Sequence, residues 1–385
     1  MQEITKENVQ QLKKQFLADG CNILYGAGDT GHQIGAILDD LGIATQYCVD
    51  DDETKQGTQM DGKPVISRME LAMIAEKQSV NVILSSIYAK MMEQKLHALP
   101  VQVFSIFGLY VSDKERALTT ILKLKQPEET WLKKMKEIKE FFSDAMSRRI
   151  LEVLQQVGLE RRPDGRLGNP RQDWFVEIAS SEEHYFVEPV PRLLGDSSVL
   201  VDCGAYTGDM LGQLAHHQYP FRRIYAFEAN PTVFQTLLKH AADLNLQEKT
   251  EAVNCGVWNK PGELEFQVSD VHPTGGQLIP GGAQASGYEK ITVRTDTLDS
   301  LISEPVDFLK MDIEGAELPA LHGATRILKE SRPILAISIY HSLDDLADIP
   351  IFLHEQMKDY TFFLRHHSFT VGETVMYGIP KEREA

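Results

Sequence analysis

The sequence predicts an α/β protein of two Rossmann-like, doubly wound domains joined by a helical connector. Three observations predict it. Val199-Leu200-Val201 is a short apolar run without polar alternation, which is how a strand buried on both faces of a parallel sheet reads. The run stops at Asp202 and passes through a glycine-containing turn, Gly204 to Gly208, into a helix-like stretch with Met210, Leu211 and Leu214. The same order of strand, glycine turn and helix occurs earlier, around Gly26-Ala27-Gly28-Asp29-Thr30-Gly31. Such a unit opens nucleotide-binding α/β folds, because glycine lets the backbone approach a ligand and the helix N-terminus offers free N–H groups.

Taken in order, residues 5–18 form an amphipathic helix with Val9, Leu12 and Phe16 on one side. Asn22 to Tyr25 is a strand, and the complete G-x-G-x-x-G follows it, ahead of a helix carrying Ile34, Ile37, Leu38 and Leu41. The next strand, Ala44 to Val49, ends in Asp50-Asp51-Asp52, which puts Asp50 where a ribose diol is held. Gly26, Gly28, Gly31 and Asp50 therefore form a second nucleotide-type site, for a nucleotide or nucleotide-sugar. The alternative is a turn used only for packing or dimerisation. Val80 to Leu84 and Val101 to Phe107 add strands, and the first domain spans 1–112. The period then becomes helical (Leu118, Ile121, Leu122, Trp131, Met135, Ile138, Phe141, Phe142, Ile150, Val153, Leu154), giving a connector over 113–190 with a polar loop at 158–175. No residue-level repeat links the two glycine units.

The third segment, 191–385, is richer in signals. The strand Arg223 to Phe227 ends at Glu228, roughly 20 residues past the glycine turn. An Asp before the turn and a Glu after the second strand is the pattern of S-adenosylmethionine sites. A helix from Thr232 to Ala242 and a third strand, Ala252 to Val257, come next. A hairpin-like segment, Gly262 to Val268, a glycine-rich loop, His272 to Gly287, and a strand, Ile291 to Arg294, follow, and Asp296 to Asp299 opens a helix. The fourth parallel strand, Val306 to Asp312, runs into Ile313-Glu314-Gly315-Ala316-Glu317 and a helix that tolerates Pro319 in its first turn. Pro333 to His341 is the fifth, and Tyr360 to Leu364 with Glu373 to Tyr377 is an antiparallel pair that closes the sheet.

Composition excludes several classes. The 385 residues carry a formal charge of −17, and no Lys/Arg cluster offers a nucleic-acid or anionic-membrane surface. Lys133 to Lys139 is interleaved with Met135 and Ile138 and is the solvated face of a helix. No apolar run approaches a membrane span, and the N-terminus lacks a signal-peptide core. Cys21, Cys48, Cys203 and Cys255 match no zinc spacing and are expected as buried thiols in a reducing cytoplasm.

The C-terminal half resembles the FkbM-type methyltransferases of the class I S-adenosylmethionine-dependent fold. The resemblance rests on Val201-Asp202-Cys203-Gly204-Ala205-Tyr206-Thr207-Gly208-Asp209, Phe227-Glu228-Ala229-Asn230-Pro231, Lys310-Met311-Asp312-Ile313-Glu314-Gly315-Ala316-Glu317, Ile339-Tyr340-His341, and Arg365-His366-His367 with Glu373-Thr374. It implies O-methylation of a carbohydrate or related small acceptor, with S-adenosyl-L-methionine as cofactor. The N-terminal domain is similar to the small Rossmann domains fused to sugar-modifying enzymes.

In that family's terms, Asp202, Gly204, Ala205, Tyr206, Thr207, Gly208 and Asp209 line the methionine end, and Glu228 with Asn230 takes the ribose. Asn254, Cys255 and Gly256 meet adenine through backbone groups, because no acid stands there. Methyl transfer needs two positioned reactants and, for a hydroxyl acceptor, removal of a proton. Asp312, Glu314 and His341 lie at carboxyl ends of neighbouring strands. His341 is expected to be the base, since its unperturbed pKa lies near neutrality. Asp312 and Glu314 are expected to position the acceptor, with helix capping as their alternative role. No ligand cluster compels a metal. Two other functions stay open: an NAD(P)-dependent oxidoreductase built on the N-terminal turn, which lacks a Tyr-x-x-x-Lys, and a non-catalytic nucleotide-binding protein.

Overall fold

Two sheets, each burying its own set of strands, organise the chain. A computed structural model describes residues 1–4, 8–18, 20–86, 88–106, 129–159, 175, 177–269, 276–278, 288–369 and 372–384. The chain divides into unit 1 (Met1–Thr120, Glu160–Ser181, His367–Val371) and unit 2 (Ile121–Leu159, Glu182–His366, Gly372–Ala385).

Unit 1 holds β1 (Gln2–Glu3), β2 (Cys21–Tyr25), β3 (Tyr47–Val49), β4 (Gln59–Met60), β5 (Lys63–Ile66), β6 (Val80–Leu84) and β7 (Gln102–Ser105), in the spatial order β1-β7-β6-β2-β3-β5-β4. All pairings are parallel except the β4–β5 hairpin. Every residue of β2 and β6 is buried. Their alternating side chains require cover on both faces. Ile23, Tyr25, Val82 and Leu84 pack with Leu71 and Ala75 of the helix Arg68–Ala75 and with Met92 and Leu96 of Ala89–Leu96. Leu24 and Ile83 pack on the other side, with Leu12 and Phe16 of Val9–Ala18 and Ile34 and Leu38 of Asp29–Asp40. The hairpin and the helices at 68–75 and 89–96 were not legible in the sequence, though Ser67 and Glu70 form a full capping box.

Unit 2 begins with β8 (Val199–Cys203), β9 (Arg223–Phe227) and β10 (Thr250–Val253). A side sheet of β11 (Gly256–Val257), β12 (Gly262–Ser269), β13 (Gly276–Leu278) and β14 (Tyr288–Asp296) follows. The main sheet resumes with β15 (Phe308–Met311), β16 (Ile334–Ser338), β17 (Tyr360–His366) and β18 (Thr374–Pro380). Its order is β10-β9-β8-β15-β16-β18-β17, parallel except where β18 runs antiparallel to both β16 and β17. From β8 the chain builds outward through β9 and β10, then returns to β8's other side with β15. The strand order therefore reverses between β8 and β15, and ligands of open α/β sheets bind at such a switch point.

Three expectations are corrected. The third strand does not run from Ala252 to Val257: β10 ends at Val253, and Gly256–Val257 pairs with β14 in the side sheet. The helices expected in a connector belong to unit 2. Trp131, Met135 and Ile138 are buried, Trp131 Nε1 donates to Leu343 O at 2.7 Å, and Leu364 N of β17 donates to Ser147 Oγ at 2.7 Å. An amphipathic helix with that apolar face must bury it, so these helices cover unit 2 instead of standing between domains. The polar stretch 158–175 was expected as a loop, but residue 159 ends the helix Ala145–Leu159 and Phe175 is buried. The rest of that loop, Leu118, Ile121 and Leu122, and most of the His272–Gly287 loop lie outside the described residues.

Gly204 closes the switch point. It sits at φ +77°, and a Cβ there would lie 1.8 Å from Asp312 O. Gly204→Ala should therefore cost on the order of 3 kcal/mol, from left-handed strain plus a backbone clash. Gly195, with open space around it, is the control: Gly195→Ala should stay within about 0.5 kcal/mol. Urea denaturation of the three proteins checks this.

Candidate functional site

The site grows from the ends of β8 and β15, where Asp202 and Lys310 are ladder partners. Lys310 is the one charged residue in an otherwise apolar strand. Its Nζ lies 2.8 Å from Asp202 Oδ1 and donates to Gly204 O at 2.7 Å and Cys203 O at 3.3 Å. The ammonium is buried beside the Asp202 carboxylate and two backbone carbonyls, with Asp202 1% and Lys310 4% exposed. Burial works against the Lys310 ammonium, but Asp202 and Asp312 outweigh it and hold its pKa above the ordinary value. Burial pushes the Asp202 carboxyl up, and Lys310 offsets part of that rise. Asp202 anchors the lysine that fixes the turn.

The turn itself is bound to β9. Gly204 N and Ala205 N donate to Phe227 O at 3.0 and 2.9 Å. Glu228, 8% exposed, accepts from Tyr206 N at 3.0 Å through one oxygen and from Asn230 N at 2.7 Å through the other. Each of those oxygens keeps a lone pair. Burial raises the Glu228 pKa, against these two backbone donors. Tyr206 is exposed and sits at φ 51°. Thr207 Oγ1 donates to Asp209 Oδ1 at 3.0 Å, at the start of the helix Asp209–His217, whose N-cap is Gly208.

Four expected cofactor residues also have structural places. Asn230 Oδ1 caps the helix Pro231–Asp243, accepting from Thr232 N and Val233 N. Asn254 Nδ2 donates to Glu228 O at 2.8 Å and Ala229 O at 3.1 Å, tying the end of β10 to that of β9. The Cys255 side chain is buried, and Gly256 is in the side sheet.

Packed against Gly204 of the turn, Asp312 follows β15 and is held by two phenols. Tyr185 OH donates to its Oδ2 at 2.6 Å, and Tyr340 OH lies 3.3 Å from both oxygens. The Tyr185 ring also covers Lys310, with Nζ 5.1 Å from the ring centre, and stacks on His184 at 3.9 Å. His341 lies three residues past β16, with its side chain 3% exposed. Its Nδ1 is 3.1 Å from Glu317 Oε1, and its Nε2 is 3.3 Å from Asp312 Oδ1 and 3.6 Å from Glu314 Oε2.

This overturns His341 as general base. Burial alone would lower its pKa, but Glu317, Asp312 and Glu314 outweigh burial and hold it up to about 10. An imidazolium already bracketed by carboxylates has no lone pair for a substrate proton. Glu314 is the open carboxylate. Its side chain is 55% exposed, its backbone sits at φ 58°, and crowding by protein with Asp312, Glu317 and Glu228 pushes it up to about 7 against the pull of His341. Solvent screening of so open a side chain offsets part of that rise. Glu373, just before β18, lies at φ 67° with its Oε2 3.5 Å from His184 Nε2, and burial raises its pKa.

Sequence reasoning missed Lys310, Glu317, Tyr185, Tyr340, His184 and Glu373 as site residues. A lone lysine inside the apolar run Phe308 to Met311 was the available signal for Lys310. The tyrosines and Glu373 gave none, because backbone pairing of Ile339 N to Thr374 O brings Glu373 beside Tyr340.

In unit 1 the structure brings Gly26, Gly28, Gly31 and Asp50 together. A Cβ on Gly31 would lie 2.1 Å from Gly26 O, so that glycine serves helix–strand packing, whereas a Cβ on Gly28 would meet nothing within 4 Å. Asp50 accepts from Ala27 N at 2.7 Å and Asp52 N at 2.9 Å, and Lys55 Nζ is 3.3 Å away. Glu228 holds the unit 2 turn in the same manner.

The strand order, the glycine turn after the first strand and the acid after the second define a methyltransferase-type α/β fold. Residues 202–369 match the Methyltransferase FkbM domain family. "Methyltransferase sdnD" of Sordaria araneosa is 24% identical over 160 residues, covering 34% of this chain and 61% of that protein's length. The crystal structure of methyltransferase FkbM from Methylobacillus flagellatus KT superposes with a TM-score of 0.51 at 22% identity, over 96% of this chain and 93% of that one. That likeness shows the fold. Among the described residues no helix is long and apolar enough to cross a membrane.

Removing either member of the Asp202–Lys310 pair should leave a buried charge unpaired. Lys310→Ala is expected to lose about 3–5 kcal/mol of stability. Asp202→Leu combined with Lys310→Met should lose less than the sum of the two single replacements. Denaturant unfolding of the single and double variants measures both.

Proposed function

We propose that the chain transfers a methyl group from S-adenosylmethionine to a hydroxyl of a carbohydrate or related small acceptor. One observation carries the reading: the crevice at the β8–β15 switch point has a donor side and a carboxylate side that face different parts of one reaction. On the donor side, the Gly204 turn accommodates the methionine end, and the remaining lone pairs of Glu228 accept from the ribose hydroxyls. On the other side, Asp312 and Glu314 favour the positive sulfonium. With the Tyr185 and Tyr340 hydroxyls they also present the acceptors and donors that a polyhydroxylated substrate needs.

The acceptor oxygen attacks the sulfonium methyl carbon in line. The C–S bond breaks, its electron pair stays on sulfur to give S-adenosylhomocysteine, and the hydroxyl proton leaves to a carboxylate or solvent. Asp312, fixed by two phenols, orients the acceptor. Glu314, open to water, is the carboxylate that meets it. His341 keeps these carboxylates in place. In unit 1, the open space at Gly28 supports a second ligand of the nucleotide or nucleotide-sugar class.

Calorimetry with S-adenosylhomocysteine tests the donor side on the full chain. Glu228→Ala removes charge-assisted hydrogen bonds worth roughly 1.5–3 kcal/mol, so affinity should fall about ten- to a hundred-fold. Unchanged affinity would remove Glu228 from the site. A thermal-shift panel of S-adenosylmethionine, NAD and nucleotide-sugars separates the other functions, since only true ligands raise the midpoint. A shift with NAD and none with S-adenosylmethionine would favour the oxidoreductase reading.

Glu314→Gln should lower turnover roughly 10²–10⁴-fold with little change in S-adenosylhomocysteine affinity. Steady-state kinetics beside calorimetry checks this; turnover equal to wild type would place Glu314 outside the chemistry.

A further inference from the structure

The carboxylates around His341 exceed what methyl transfer from a sulfonium requires. Asp312, Glu317 and His341 each offer a ligand atom within 4.8 Å of the others. Glu314 Oε2 stands 3.6 Å from the same imidazole. Convergent acids alone would not define a site. Three buried atoms here lack hydrogen-bond partners, Glu317 Oε2, His341 Nδ1 and His341 Nε2, and Nε2 aims at two of the carboxylates. Glu317 is 0% exposed, and its Oε2 has no hydrogen-bond partner. His341 Nε2, on a side chain 3% exposed, makes no hydrogen bond and faces Asp312 and Glu314.

We propose that Asp312, Glu314 and His341 Nε2 hold a divalent metal ion, with Glu317 behind the histidine. On binding the ion the imidazolium would release its Nε2 proton to solvent, keep Nδ1–H as a donor toward Glu317 Oε1, 3.1 Å away, and present the Nε2 lone pair to the metal. That is the carboxylate–histidine–metal arrangement, in which the outer acid fixes the tautomer and ring orientation. Adjacent ligands of an ion with bonds of about 2.1 Å sit roughly 3 Å apart. The 3.3 and 3.6 Å separations at Nε2 need only a small closure to reach that. Asp312 has the outer partners a ligating carboxylate needs, in Tyr185 and Tyr340. Two carboxylates and one imidazole suit Mg²⁺ or Mn²⁺ better than thiolate-preferring metals.

The role of the ion rests on the methyl-transfer reading, but its binding does not. A hydroxyl, or a vicinal pair of them, would complete the coordination and lose its proton more readily on the metal. The proton-removal step would then need no histidine base.

Mn²⁺ titrated into chelator-treated full-length protein, followed by electron paramagnetic resonance, tests the proposal. One Mn²⁺ should bind per chain. Asp312→Asn and His341→Gln should each weaken binding at least tenfold, and Glu317→Gln about 10- to 100-fold. S-adenosylhomocysteine calorimetry on the same samples reports whether each variant is folded. If the buried replacements do not fold, Glu314→Gln, an exposed side chain, should still weaken Mn²⁺ binding. No binding by wild type at millimolar Mn²⁺, or equal binding by wild type and every folded variant, would overturn the site. Mn²⁺ bound by a protein that ignores S-adenosylhomocysteine would support the ion and defeat the methyl-transfer reading.

Discussion

A buried lysine sets the geometry of unit 2. The Lys310 ammonium reaches across from β15 to the end of β8, where it meets the Asp202 carboxylate and the carbonyls of Cys203 and Gly204. Desolvating that charge is expensive, so the turn is tolerated only in a conformation that supplies all three acceptors. Gly204 must then sit at positive φ against Asp312 O. The glycine turn and the Asp312 carboxylate are thereby positioned by one contact. Tyr185 closes the arrangement by covering Lys310 with its ring and holding Asp312 with its hydroxyl.

The site also concentrates backbone strain. Tyr185, Tyr206, Glu314 and Glu373 all adopt positive φ, with values from 51° to 67°. Non-glycine residues hold such conformations only where the surroundings over-determine them, and they cluster at functional sites. Here three of the four are tied down nearby. Tyr206 N is bound to Glu228, Tyr185 N to Tyr377 OH, and Thr374, next to Glu373, to Ile339.

Much of this architecture was legible in the sequence, for identifiable reasons. Val199 to Val201 and the run from Ile334 to Ile337 are apolar at consecutive positions, which only strands covered on both faces allow. The glycine turns and the acids after the second strands of both units were visible because backbone approach needs those residue types. The role of Asp202 was not: its environment depends on Lys310, which is 108 positions later and opposite only through β8–β15 register. The protonation of His341 was equally hidden, because a sequence gives an unperturbed histidine and the three acids that change it arrive by folding. Asn230 was taken for a ligand contact, although an Asn before a Pro at a helix start is also a cap.

The end of the β8–β15 pair is the proposed donor site. A crystal structure of the full chain with S-adenosylhomocysteine tests it most directly. The ribose hydroxyls should lie within hydrogen-bond distance of the Glu228 carboxylate, and the sulfur should face Asp312 and Glu314. Density for the ligand at the Gly28 turn of unit 1, or in unit 2 away from Glu228, would contradict it.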